Sequence, residues 1–180
     1  NTYDWIQDMT FSQARDWTAG TKVTYHVKDW FSVTGSLHAD FYDRFKRHER
    51  IDKRQKDYES SIYQPRLTVT SNYFNGHSLI LGMEHTSDEL TSDRFSGNAN
   101  HDLKTRALKE TEYFLQDEWT INPRWMISVG IRTNFSKAFG FMGMPKVAAK
   151  YSPDKHWSLR ANYSMGYRSP SIKELFYNWD

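Results

Sequence analysis

Alternation with a period of two runs through almost the whole chain, and it restricts the fold more than any other feature. Residues 156–167 show it most plainly. Trp157, Leu159, Ala161, Tyr163, Met165 and Tyr167 share one face, and Ser158, Arg160, Asn162, Ser164 and Gly166 share the other. Successive strand side chains point to opposite faces, so this is a strand that is apolar on one side and polar on the other. Residues 125–132 repeat the pattern, with Trp125, Ile127, Val129 and Ile131 against Met126, Ser128, Gly130 and Arg132. In 111–121, Tyr113, Leu115, Trp119 and Ile121 oppose Glu112, Phe114, Gln116, Glu118 and Thr120, with Asp117 as a misfit on the apolar side. Shorter alternating runs occupy 23–28, 31–39, 66–70, 79–83 and 145–151, for about eight strands in all.

The connections differ in kind. Those at 28–30, 75–76, 122–124 and 152–155 are tight and carry Asp, Asn-Gly, Asn-Pro and Ser-Pro-Asp, residues that supply turn backbone angles. Those expected at 43–60, 86–108, 133–143 and after 167 are long and polar. Short and long therefore alternate. In an up-and-down meander this leaves one end trimmed and the other decorated, as in transmembrane barrels with short periplasmic turns and long outer loops. Trp30, Trp125 and Trp157 follow tight turns, Tyr73 precedes one, and Trp119 and Tyr151 stand close by. Such rings suit a membrane interface. They also suit the plugged end of a soluble barrel or sandwich, and alternation alone does not separate the two.

Composition narrows the chemistry. The 180 residues contain no Cys, which removes disulfide scaffolds, thiolate zinc sites and cysteine nucleophiles. Mean hydropathy is −0.82, and no run approaches the ~20 apolar residues of a spanning helix. Net charge is +2, so charge alone does not point to nucleic acid. No GxSxG, P-loop or GxGxxG occurs, and catalysis has little footing.

Three stretches invite a site. The basic run Arg44, Lys46, Arg47, His48, Arg50, Lys53, Arg54 and Lys56 reads as a solvated outer loop or as a phosphate contact, on lipopolysaccharide or nucleic acid. His85 and His101 flank the acidic loop residues Asp88, Glu89 and Asp93, and are candidates for ligating haem iron or another metal, although no HxH or HExxH spacing supports them. Arg168 continues the polar parity of Arg160, with Glu112, Glu118 and Arg132 as further inward charges. Pro170 ends the strand, and Ser171 with Glu174 fits a capping box that opens a short helix over Ile172 to Tyr177.

That last stretch carries a family resemblance. "MGYRSPSIKELFYNWD" resembles a motif of TonB-dependent outer-membrane receptors, commonly Gly-Phe/Tyr-Arg-Ala-Pro followed by Leu-Lys-Glu-Leu-Tyr. Gly166, Tyr167, Arg168, Pro170, Lys173, Glu174 and Leu175 match, and Ser169 and Phe176 depart from it. "FLQDEWTINPRWMISVGIR" and "KVAAKYSPDKHWSLRANYS" are similar to the family's preceding strand-turn-strand segments.

The resemblance implies an all-β antiparallel barrel of about 22 strands around an N-terminal plug. It implies uptake of a scarce ligand (siderophore-iron, haem or cobalamin) across the outer membrane of a Gram-negative bacterium, driven through TonB. The Tyr-Arg-x-Pro form resembles haem receptors, whose second Asn-Pro box and His would fall beyond Asp180. Residues 1–180 are thus expected to be part of one transmembrane barrel domain, with plug and C-terminal strands outside the chain. No covalent cofactor and no nucleic-acid partner are expected. The expected partners are the plug, TonB and outer-membrane lipid or lipopolysaccharide. A small closed barrel for adhesion or anchoring and a soluble β-sandwich binding module are the alternatives. The first requires first-to-last strand pairing. The second requires Leu159, Tyr163, Val129 and Ile131 to be buried against a second sheet.

Overall fold

A computed structural model of the chain describes residues 10–48, 53–95 and 103–177. The alternating segments form eight antiparallel strands. These are β1 (Thr10–Lys28), β2 (Phe31–His48), β3 (Lys53–Ser71), β4 (His77–Ser92), β5 (Lys104–Asn122), β6 (Trp125–Ser136), β7 (Gly140–Tyr151) and β8 (Leu159–Ser164). They pair in sequence order as one sheet, and among the described residues each pairs only with its chain neighbours. A 3₁₀ turn (Asp93–Phe95) follows β4, and a short helix, α1 (Ile172–Phe176), follows β8.

The register extends the sequence parity across the sheet. One rung joins Tyr25, Val33, Val69, Leu81, Leu115 and Ile131. Another joins Ser71, Leu79, Asp117, Val129, Val147 and Tyr163. Every member of both rungs projects from one face, hereafter the outer face. Leu159, Tyr163, Val129 and Ile131 are 59%, 65%, 51% and 46% exposed, so among the described residues no second sheet covers them, as the sandwich would require. Among the described residues no ladder joins β8 to β1, which the closed eight-strand barrel would require.

Two aromatic belts bound the apolar face. At the short-turn end Trp30 packs on Tyr73 (4.8 Å), Trp125 stacks on Tyr151 (4.4 Å) and His77 stacks on Trp119 (5.2 Å). At the other end Trp17 stacks on Phe41 (4.5 Å), Phe41 meets Tyr63 (5.2 Å) and Phe135 meets Phe141 (4.9 Å). Phe31 and Phe41 on β2, like Trp125 and Phe135 on β6, are ten positions apart. A tilted strand needs about 9–11 residues to cross the hydrocarbon core, so the belts are spaced for a bilayer. Asp117, the misfit, lies beside the lower belt, with Oδ2 2.7 Å from His77 Nδ1.

The stretches expected as long loops are largely strand. β2 continues to His48 and β3 begins at Lys53, β4 runs to Ser92 and β5 begins at Lys104, and only 137–139 separate β6 from β7. β1, β2, β3 and β5 have 18 or 19 residues, far more than the span requires. Their polarity suggested loops because polarity is read against a lipid. Beyond the bilayer both faces are wet, and the ladder continues wherever backbone N–H and C=O groups can pair. The outer face turns charged there, at Arg15, Asp43, Lys56 and Glu59, which places these ends outside the apolar band.

Candidate functional site

The face opposite the belts carries the chemistry. Near mid-strand, Arg66, Glu84 and Glu112 lie on one rung of β3, β4 and β5. Arg66 Nε is 3.5 Å from Glu84 Oε2, and Arg132 Nη1 of β6 is 3.1 Å from Glu112 Oε2. Between the two pairs lies Phe114, with the Arg66 guanidinium 4.8 Å and that of Arg132 5.8 Å from its ring centre. Gly82 makes room for this ring. A Cβ on Gly82 would overlap Phe114 Cζ and stand 2.7 Å from the Leu67 carbonyl oxygen. The aromatic ring therefore covers a bare backbone, a recognised device for glycine in sheets. The result is a patch of alternating charge on the polar face.

The second group lies at the end away from the short turns. After β8 the chain turns back over the polar face instead of leaving the sheet. Ser169 Oγ donates to Glu110 Oε2 (3.3 Å), which also accepts from Asn134 Nδ2 (3.3 Å). Ser171 caps α1 through a complete capping box with Glu174. Ile172, 1% exposed, joins Tyr58, Leu90 and Phe95, with Tyr42, Leu108 and Tyr177 around them. This small cluster is the main apolar core of the described chain. Cations sit over rings in and beside it: Lys173 over Tyr58 (4.8 Å), Arg106 over Phe176 (5.0 Å) and Arg94 over Tyr177 (5.9 Å).

A third group surrounds a β-bulge. The register shifts between Arg44 and Phe45 because Asp57 is an extra residue on β3. Its carboxylate turns to the polar face, is almost fully buried, and accepts from Arg44 (2.7 Å) and Lys46 (3.1 Å). Burial alone would push this acid up. The hydrogen bonds and charges of Arg44 and Lys46 outweigh burial and hold it below the usual carboxylate range.

The structure places the expected residues as follows. Arg168 is highly exposed and donates through Nη2 to Glu174 Oε1 at 2.6 Å, so its partner is local. Gly166, Tyr167 and Pro170 lie in the segment between β8 and α1, and Leu175 lies on α1. Glu112 and Arg132 meet, whereas Glu118 and Arg160 stand on separate rungs nearer the short turns. His85 is not in a loop. It lies within β4 on the outer-face parity, with Nδ1 2.9 Å from Thr111 Oγ1. His101 lies outside the described residues. No cluster of three metal-ligating side chains occurs among the described residues. Sequence reasoning did not single out Phe114, Arg66, Glu84 or Asp57. The one available signal was an aromatic, Phe114, on the polar parity.

Comparison with known proteins agrees with this geometry. The family model described as TonB dependent receptor-like, beta-barrel matches residues 1–179. The iron-regulated outer membrane virulence protein of Vibrio cholerae serotype O1, in strains O395 and El Tor Inaba N16961, is 24% identical over 160 residues. The match takes in 86% of this chain and 22% of the relative, so the chain spans about a fifth of the length of these curated proteins. The crystal structure of the siderophore receptor PirA from Pseudomonas aeruginosa superposes with a TM-score of 0.58 at 12% identity, over 88% of this chain and 36% of that one.

Proposed function

The chain belongs to the β-barrel family of TonB-dependent receptors, and we propose that it forms part of the wall of a barrel that takes up an iron complex, foremost a ferric siderophore, with energy passed through TonB. The family places the strands in the Gram-negative outer membrane. The observation that carries the reading is the two-sidedness of an open sheet. One face is a bilayer-wide apolar band between two aromatic belts, and the other holds paired charges such as Arg132–Glu112. A closed barrel puts the first against lipid and the second in a wet lumen. Further strands would complete β1 and β8, whose open edges otherwise expose unpaired backbone groups.

In this reading the protein is a transporter and not an enzyme. The Arg66–Glu84 and Arg132–Glu112 pairs face the plug, which they hold by exchangeable ion pairs. Likeness to the iron-regulated Vibrio protein supports iron as the cargo, and likeness to the siderophore receptor PirA supports a siderophore as its carrier. Haem and cobalamin are the competing cargoes. The test is uptake of radiolabelled iron by iron-starved cells that carry or lack the full-length receptor, supplied as ferric siderophores or as haem, with labelled cobalamin in parallel. Uptake of a ferric siderophore that needs both the receptor and TonB is the expected result. Receptor-dependent uptake of haem or cobalamin alone would replace the ligand, and no receptor-dependent uptake would overturn the reading.

A further inference from the structure

The basic run of 44–56 is divided by the bulge at Asp57. Arg44 and Lys46 turn to the polar face and bind that carboxylate. Phe45, Arg54 and Lys56 turn to the outer face, beside Arg15 of β1. The Arg54 guanidinium lies 4.2 Å and that of Arg15 5.8 Å from the centre of the Phe45 ring. Lys56 is engaged by Asp43 (2.7 Å) and Glu59 (2.8 Å). Arg15 and Arg54 have no carboxylate partner among the described residues. Phe11, 55% exposed, and Phe45 line a shallow outer pocket with Gln13, Arg47 and Arg54.

The position of this patch is informative. Phe45 is four residues beyond Phe41 of the upper belt, or roughly 13 Å along the strand and about 9 Å along the normal for a strand tilted by half a right angle. That is the headgroup layer of the outer leaflet. Two guanidinium groups held over an aromatic platform present planar donors suited to phosphate, and the flanking rings suit acyl chains and sugar faces. We propose that Arg15, Arg54 and Phe45 form a docking site for the phosphate groups of outer-leaflet lipopolysaccharide. This goes beyond uptake and rests only on the membrane placement of the sheet.

The site is tested on the full-length receptor in mixed micelles, titrated with purified short-core lipopolysaccharide, with the same material stripped of phosphate, and with phosphatidylglycerol. Arg15→Ala combined with Arg54→Ala is expected to weaken binding of the phosphorylated glycolipid roughly ten-fold and to leave binding of the stripped form unchanged. Lys155→Ala, a charge removed at the opposite end of the sheet, is expected to change neither. Arg54→Gln alone is expected to give a several-fold loss, and it decides the matter should the double variant fail to assemble. Wild-type affinity in the arginine variants would overturn the proposal. So would equal binding of the stripped glycolipid, or phosphatidylglycerol bound as tightly with the same dependence on the two arginines.

Discussion

Arg168 and Ser171 hold the two oxygens of one carboxylate, that of Glu174. Arg168 Nη2 donates to Oε1 at 2.6 Å, and the Ser171 backbone N–H donates to Oε2 at 2.7 Å. The arginine thus closes the cap of a helix that it precedes by one turn of chain. The Ser171 backbone and hydroxyl bonds, then Arg168, hold the Glu174 carboxyl below its usual range.

Breaking this arrangement should release the segment 165–177 from the polar face without unfolding the sheet. In the full-length receptor, Glu174→Gln is expected to speed amide hydrogen exchange across Ile172–Phe176 and leave exchange in β5 and β6 unchanged. Ile172→Ala should act more strongly. It empties a site buried among Tyr58, Leu90 and Phe95, and such truncations cost about 2–5 kcal/mol. Exchange that is equally slow in both variants would show that other contacts hold the segment.

The Asp57 site should be acid-sensitive. Its folded carboxyl is lowered, so the folded state binds its proton less readily than the unfolded chain. Its contribution is present above the unfolded value of about 3.9 and is lost as pH falls through the folded value. Exchange at the outer ends of β2 and β3 should therefore rise below about pH 4. Asp57→Asn should flatten that dependence and loosen the same ends at neutral pH, since Arg44 and Lys46 lose their shared anion.

Gly82 should tolerate no side chain. Gly82→Ala drives a methyl group into the Phe114 ring and the Leu67 carbonyl, for a loss of about 1–3 kcal/mol. Adding Phe114→Ala should recover part of that loss, because the ring is the nearer obstacle. Thermal unfolding of the single and double variants reads the difference, and strict additivity would contradict the contact.

The two faces can be distinguished one residue at a time. The chain contains no Cys, so a cysteine introduced into it is unique within residues 1–180. Spin labels at Val129 and Val147 should collide with a lipid-soluble relaxant, and labels at Ser128 and Ala148 with a water-soluble one. Failure of this alternation would place the membrane elsewhere.

Much of this was legible because its causes are local. The period of two gave the strands and their faces, although only Leu159–Ser164 of the alternating run 156–167 is strand, and it placed Arg132 and Glu112 on the same side. Turn residues marked the trimmed end, Trp and Tyr beside them marked a belt, and Ser171 with Glu174 marked the helix start. Strand ends were less legible. Residues 43–60 look like a loop by polarity, yet most of their described length is ladder, because water on both faces accepts polar side chains on a strand. His85 was misplaced for the same reason.

The sequence by itself determined an amphipathic antiparallel meander, since side-chain alternation and turn geometry act over a few residues. Only the tertiary structure decided which residues meet. The pairing of Arg132 with Glu112, the fit of Phe114 over Gly82 and the double grip on Asp57 all depend on register, which joins positions far apart in the chain. The return of Ile172 to Tyr58, Leu90 and Phe95 was likewise decided there. A short apolar helix face is stable only where a matching apolar surface exists, and that surface is assembled from three other segments.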